Sequence, residues 1–198
     1  MRRLPLLFTL LLVSACAAPS PVIQVESTRF HRLDVTGSLG FVIFPQADQG
    51  EGDGAYGDYA DLIAHALQSL GWRRQQQADG AAAILRFRWG VDAPVTETLL
   101  SPSAVPPMGR WSPRRPGLWS DPFPYWQAQQ VVSYPKWLTV TIGDGGDASA
   151  PPLFEGRVVS RRGGAEIGPI MPYLVRGMFD GFPGTNGATE AKALPVQP

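Results

Sequence analysis

Residues Gly52-Asp53-Gly54-Ala55-Tyr56-Gly57 match the spacing G-x-G-x-x-G, in which glycines cradle a dinucleotide pyrophosphate at the start of a helix. In a nucleotide-binding fold the first glycine follows its strand almost at once, whereas residues 45–51 intervene here. Acidic side chains also stand where the phosphates would bind: Asp48, Glu51, Asp53 and Asp58. The stretch therefore predicts a Gly-rich surface loop, and we expect no nucleotide.

The same acidic loop contains oxygen ligands of the kind that calcium prefers. Counting an EF-hand loop from Asp48, however, places Gly50 and Gly52 at ligand positions. The two histidines, His31 and His65, are far apart in the sequence, and the single cysteine excludes a zinc site made of several thiolates. We therefore predict no metal site.

Groups for hydrolytic chemistry are also sparse. No serine lies in the G-x-S-x-G turn that marks the α/β-hydrolases. Glycoside hydrolysis requires a pair of carboxylates, and Glu97 and Glu155 are the nearest candidates. Because their separation depends on the fold, a cell-wall or glycan hydrolase stays open as an alternative. The lack of a recognised nucleophile, metal or cofactor motif favours a non-enzymatic protein.

Cys16 is the one cysteine of the chain, and its surroundings predict covalent modification. Two arginines and an apolar run at residues 4–13 precede it, which is typical of a secretory signal peptide and too short for a membrane span. Residues Val13-Ser14-Ala15-Cys16 resemble the bacterial lipobox, in which the chain is cut before a cysteine whose sulfur is lipidated. Ala17 is not the aspartate that retains such lipoproteins at the inner membrane. We therefore predict a covalent lipid on Cys16, no other cofactor, and an outer-membrane, periplasm-facing location.

The segment at residues 101–133 combines seven prolines, five aromatic residues and three arginines with a single acidic residue. Long loops without secondary structure are commonly functional or disordered, and aromatic and arginine side chains dominate interfaces. The candidate partner-binding residues are Arg110, Trp111, Arg114, Arg115, Trp119, Tyr125 and Trp126. Alternatively, these aromatic side chains fold back and cover a face or edge of the sheet.

Hydrophobic periodicity predicts strands at residues 22–33, 41–44, 72–77, 81–91, 134–142 and 153–160. It predicts helices at residues 58–70, with Asp58 as N-cap, and at 169–182. This order indicates the α+β class: a mostly antiparallel sheet with two amphipathic helices packed on one face, plus a long Pro/Trp-rich loop.

The composition fits a single folded domain. Of the 198 residues 44% are hydrophobic, and 17 basic residues balance 17 acidic ones, which argues against a nucleic-acid partner. We divide the chain into a signal peptide (1–15), a lipidated N-terminus and tether (16–22), a periplasmic domain (23–184) and a flexible tail (185–198).

Four short motifs follow one another behind the lipobox. They are Phe41-Val42-Ile43-Phe44-Pro45, Leu70-Gly71-Trp72, Phe154-Glu155-Gly156-Arg157 and Phe182-Pro183-Gly184. In this order they resemble the bacterial lipoproteins called domain of unknown function 4136, over residues 24–187. The resemblance implies an α+β envelope lipoprotein without assigned catalytic residues. Residues 101–133 depart from the family pattern, because they are longer and richer in proline and tryptophan.

Together these observations predict a non-enzymatic envelope lipoprotein. It is anchored in the outer membrane by the lipid on Cys16 and binds a protein, lipid or glycan partner in the periplasm. Besides the hydrolase, a small-ligand carrier remains an alternative, and it would require a closed apolar cavity.

Overall fold

The computed structural model describes residues 21–32, 38–46, 54–77, 80–103, 125–147 and 149–196. Within these ranges the chain forms nine strands and two helices. In chain order they are β1 (Val22–His31), β2 (Gly40–Ile43), α1 (Gly54–Ser69), β3 (Arg73–Arg74), β4 (Ala83–Val91), β5 (Val95–Ser103), β6 (Tyr125–Ser133), β7 (Lys136–Asp144), β8 (Phe154–Ser160), α2 (Met171–Phe179) and β9 (Thr189–Pro195).

Seven of the strands form one sheet in the order β3-β2-β4-β7-β8-β1-β9. Strand β2 runs parallel to β3 and β4, and the remaining neighbours are antiparallel, so the sheet is mixed. Strands β5 and β6 pair only with each other and form a separate hairpin. The α+β class predicted from the sequence is confirmed.

One face of the sheet is covered by the two helices, and strand β4 shows how its sequence selects that face. Ala83, Leu85, Phe87 and Trp89 alternate with more exposed residues and are buried against the helices. The alternation follows from the two-residue period of a strand, and it leaves Arg86 and Arg88 exposed on the other side. We call the uncovered side of the sheet the open face.

Helix α1 begins earlier than the sequence predicts. It starts at Gly54, so Asp58 lies inside the helix and the prediction that it is the N-cap is wrong. The physical reason is Tyr56, which is buried in the first turn and stacks on Phe87 with 5.0 Å between ring centroids. Burial of this aromatic ring stabilises a turn that local sequence signals alone would place in the loop.

Helix α2 lies close to the sheet because a glycine of the sheet faces the helix and a glycine of the helix faces the sheet. A Cβ at Gly156 of β8 would overlap the sulfur of Met178, and one at Gly177 of α2 would lie 2.8 Å from a methyl group of Val25. Helix and strand therefore approach at positions where neither carries a side chain.

Aromatic residues from the family-like motifs meet at the end of α2. The ring of Phe182 lies 5.9 Å from that of Trp72, 4.9 Å from that of Phe154 and 5.7 Å from that of Phe179. Motifs that are more than 100 residues apart in sequence thus have a common structural role, because each contributes a ring to one cluster.

Two sequence predictions about irregular segments are wrong. The tail predicted from residue 185 contains β9, which pairs with β1 over seven residue pairs. The described ends of the segment at 101–133 are not a loop, because they lie in β5 and β6. Both strands lack the buried, alternating face that marks a strand in sequence. No helix in the described part of the chain is long and apolar enough to cross a membrane.

Candidate binding site

The hairpin β5–β6 has two faces, which the strand register defines. Directly opposite residues of an antiparallel pair point to the same side. We call inner face the side that carries Val95, Glu97, Leu99 and Ser101 with their partners Ser133, Val131, Gln129 and Gln127. We call outer face the side that carries Thr96, Thr98, Leu100 and Pro102 with their partners Val132, Gln130, Ala128 and Trp126.

The inner face borders a groove of about 560 Å³ between the hairpin and the sheet. Glu97, Leu99, Val131 and Ser133 form the hairpin side of this groove. The sheet side comes from the ends of three neighbouring strands and the loop after β8: Gln24, Val25 and Glu26 of β1, Val159 of β8, Arg161, Arg162 and Gly163 after it, and Ala191, Lys192 and Ala193 of β9. We call this space the hairpin groove.

Strand β9, on one side of the hairpin groove, is the last strand of the sheet. Its outer backbone edge has no partner strand among the described residues. Ala191 and Ala193 are exposed and small, so they leave room above the open face of β9. An extended chain could therefore add to β9 while it lies in the groove.

An ion pair fixes the charges at the floor of the groove. Arg161 donates two hydrogen bonds to Glu26 Oε2, at 2.7 and 3.2 Å. These bonds lower the pKa of the Glu26 carboxyl and raise the pKa of the Arg161 guanidinium. Glu97 on the hairpin adds a smaller contribution that also raises the pKa of Arg161. The groove thus offers both signs of charge beside apolar side chains.

Lys136 holds the base of the hairpin against the loop after β8. Its Nζ donates to the carbonyl oxygens of Tyr134 at 2.8 Å and of Arg162 at 3.0 Å. The side chain is buried, and this burial lowers its pKa. Ser133 donates from its hydroxyl to the Val95 carbonyl at 3.4 Å and joins the two hairpin strands at their base.

Arg29 is a second buried cation, and it lies at the C-terminal end of α2. Its Nη2 donates to the carbonyl oxygens of Gly177 at 2.8 Å and Asp180 at 3.1 Å. Burial lowers the pKa of Arg29, while the charges of Glu190 and Asp180 oppose this effect. A positive charge at a helix C-terminus interacts favourably with the helix dipole, so we assign Arg29 a structural role.

The open face carries one ordered polar cluster outside the groove. Trp137 Nε1 donates to Asp92 Oδ1 at 2.9 Å, and its indole lies against Gly90, where a Cβ would be 2.7 Å from the ring. The Arg157 guanidinium lies 4.9 Å from the ring centroid, and its Nη2 is 3.9 Å from Asp92 Oδ2. These contacts position Arg157, the last residue of a family-like motif, by a cation–π interaction.

The candidates named from the sequence are only partly placed by the structure. Cys16, Arg110, Trp111, Arg114, Arg115 and Trp119 lie outside the described residues. Trp126 is 61% exposed on the outer face of the hairpin, and Tyr125 pairs with Ser103 at the distal end.

The two carboxylates considered for hydrolysis lie in different surroundings. Glu97 lines the hairpin groove, whereas Glu155 lies on the open face opposite Phe30 and Thr141 and does not line that groove. In the ranges that the structure describes, no three His, Cys, Asp or Glu side chains are grouped closely enough to hold a metal ion.

Sequence reasoning missed the groove because its residues come from five strands and a loop that are distributed over the chain. Ala191 and Ala193 were assigned to a flexible tail, Val131 to the end of the Pro/Trp-rich segment, and Leu99 to none of the predicted strands. The alternation of Val95, Glu97 and Leu99 is the only local signal that could have indicated a strand there.

Comparisons with known proteins find similarity at the level of solved structures. No family model matches the chain, and no curated protein matches it. A PDZ domain protein from Parabacteroides distasonis is 10% identical with a TM-score of 0.49, over 86% of this chain and 39% of that one. The chain therefore spans about two fifths of that protein's length.

Two further structures match over most of their own length. The PelC dodecamer from Paraburkholderia phytofirmans is 10% identical with a TM-score of 0.39, over 76% of this chain and 91% of that one. A DUF4136 family protein from Bacteroides thetaiotaomicron is 12% identical with a TM-score of 0.41, over 83% of this chain and 97% of that one.

Proposed function

We propose that this protein is a non-enzymatic envelope lipoprotein that binds an extended segment of another envelope protein in the hairpin groove. A lipid on Cys16 anchors it in the outer membrane, and the domain faces the periplasm. The observation that carries the proposal is the hairpin groove itself, an open space of about 560 Å³ beside an edge of β9 that no described strand pairs with.

The shape of the groove supports an extended protein segment. Main-chain hydrogen bonds to the edge of β9 would give affinity, and contacts with Leu99, Val131 and Val159 would favour apolar side chains at alternate positions. Glu97 and the Arg161–Glu26 pair would select for complementary charges. A groove this wide also accommodates a glycan or a small ligand, and the experiment below separates these outcomes.

In-cell photocrosslinking tests the proposal. A photoreactive residue replaces Leu99 in the otherwise native lipoprotein, and adducts are identified by mass spectrometry. We expect one protein adduct of defined identity. An adduct of low mass instead of a protein would favour the glycan or small-ligand alternative and contradict the proposal.

A matched pair of substitutions locates the contact. Ala193→Trp fills the groove from an exposed position, and Ala82→Trp adds the same ring at an exposed position away from the groove. We expect the first to abolish the adduct at Leu99 and the second to leave it unchanged. Equal adducts in both variants would place the partner elsewhere.

The anchor is tested separately. Cys16→Ser should move the protein from the membrane fraction to the periplasmic soluble fraction, because the lipidation site is lost. Retention in the outer membrane despite the substitution would contradict lipidation at Cys16.

A further inference from the structure

The outer face of the hairpin changes character along its length. Near the base, Thr96 pairs with Val132 and Thr98 pairs with Gln130. In the next two rows on this face Leu100 pairs with Ala128 and Pro102 with Trp126, and no polar side chain remains. Leu100 is 66% exposed and Trp126 61% exposed. We call these four residues the distal patch.

No residue in the described part of the chain covers the distal patch, which faces away from the groove. A two-stranded hairpin alone is marginally stable in water. Large apolar side chains on its outer face make exposure to water less favourable still. The distal patch therefore offers an exposed apolar surface on which another apolar phase can pack.

The strand register places the hairpin base at the same end of the sheet as the N-terminal tether. Lys136, directly after the hairpin, lies opposite Val91 of β4 and Ser160 of β8. Val159 of β8 pairs with Glu26 of β1, so β1 starts at this same end. The start of β1 and the base of the hairpin therefore lie at the same end of the sheet.

Chain lengths allow the hairpin and the anchor to reach the same surface. Val22 follows Cys16 by six residue-to-residue steps, which gives a reach of about 20 Å at ~3.4 Å per extended step. Strands β5 and β6 contain nine residues each, which corresponds to a length of about 30 Å. A hairpin of that length can span the distance that the tether permits between domain and membrane.

We propose that the distal patch docks onto the lipid bilayer and gives the lipoprotein a second membrane contact besides its lipid. The proposal rests on the anchor at Cys16 proposed above, and it is independent of the partner in the groove. Tryptophan is favoured at the interface between headgroups and acyl chains, so the ring of Trp126 would lie at that depth. Insertion stays shallow, because unpaired hairpin edges cannot be placed in hydrocarbon without losing hydrogen bonds.

Vesicle binding by the unlipidated protein tests the proposal. The mature chain from residue 16 onward carries Cys16→Ser, so it has no lipid and no cysteine. An environment-sensitive fluorophore is attached to a new cysteine at Ala128→Cys on the outer face or, as matched control, at Gln129→Cys on the inner face. Vesicles contain phosphatidylethanolamine and phosphatidylglycerol.

We expect the fluorophore at position 128 to gain at least twofold in intensity with vesicles, with quenching by brominated lipids. The fluorophore at position 129 should change much less. Leu100→Ser should weaken binding of the position-128 protein about tenfold, and Leu99→Ser, on the opposite face, should not. All these side chains are exposed, and thermal melts of the four proteins check that the domain remains folded.

Two results would overturn the proposal. One is that vesicles leave the fluorescence at position 128 unchanged while the lipidated protein still fractionates with the membrane. The lipid anchor alone would then hold the protein at the membrane. The other is shielding of position 128 without vesicles together with a dimer mass in sedimentation, since a second copy would then cover the patch.

Discussion

Replacing Gly156 by alanine tests whether the close approach of α2 to the sheet determines the stability of the domain. A Cβ at this position would overlap the sulfur of Met178 and lie 2.9 Å from the ring of Phe154. Both neighbours are fully buried, so neither can move into solvent to make room. The clash must therefore displace the helix or force a side chain out of its preferred rotamer.

The expected magnitude follows from two opposing effects. Overpacking of a core commonly costs about 1–3 kcal/mol. Replacing glycine in a strand returns about 0.5–1 kcal/mol, because the unfolded chain loses conformational freedom. For Gly156→Ala we expect a net loss of about 1–2 kcal/mol in the free energy of unfolding, or roughly 2–8 °C in Tm for a chain of this size.

Gly143→Ala is the matched control for Gly156→Ala. Gly143 lies in β7, and the nearest atom to a Cβ there is the Ile84 carbonyl oxygen at 3.9 Å, an ordinary contact. This variant should be as stable as the wild type or more stable by up to about 1 kcal/mol. Urea denaturation of both variants measures the difference, and equal midpoints would refute the packing argument.

The two buried cations give two more predictions. Arg29→Met should lower the free energy of unfolding by about 2–3 kcal/mol, since the last carbonyls of α2 lose a charged donor, and an unchanged urea midpoint would contradict this. Because burial lowers the pKa of Lys136, wild-type stability should rise as the pH increases from that lowered pKa towards the ordinary value of 10.5. Lys136→Met should lack this rise. Urea denaturation from pH 7 to pH 10.5 measures the free energy of unfolding of both proteins, and with rising pH their difference should shift in favour of the wild type. A difference that stays constant would contradict the lowered pKa.

The sequence predicted the elements that bury one face. Strand β4 and helix α2 have the periods of a strand and a helix, because the helix-covered side of the sheet and the inner side of α2 require apolar residues at fixed intervals. The start of α1 was wrong, because the burial of Tyr56 against Phe87 is a tertiary contact that no N-cap rule contains.

Strand β9 and the hairpin escaped prediction for a different reason. Of the side chains in β9 only Leu194 is a buried hydrophobic residue, and backbone pairing with β1 holds the rest. The hairpin exposes side chains on both faces, so neither face gives the alternation of a half-buried strand. The hairpin groove is lined by both β9 and the hairpin. It could not be predicted once β9 was assigned to a tail and the hairpin to a loop.

The position of β1 affects the order in which the domain can fold. This first strand lies between β8 and β9, which come from the last quarter of the chain. A chain that emerges N-terminus first therefore presents β1 with both edges unpaired until residues 154–195 have followed. Such long-range pairing slows folding and leaves strand edges open to aggregation. We expect a chain that ends before β8 to be degraded and not to accumulate in a folded form.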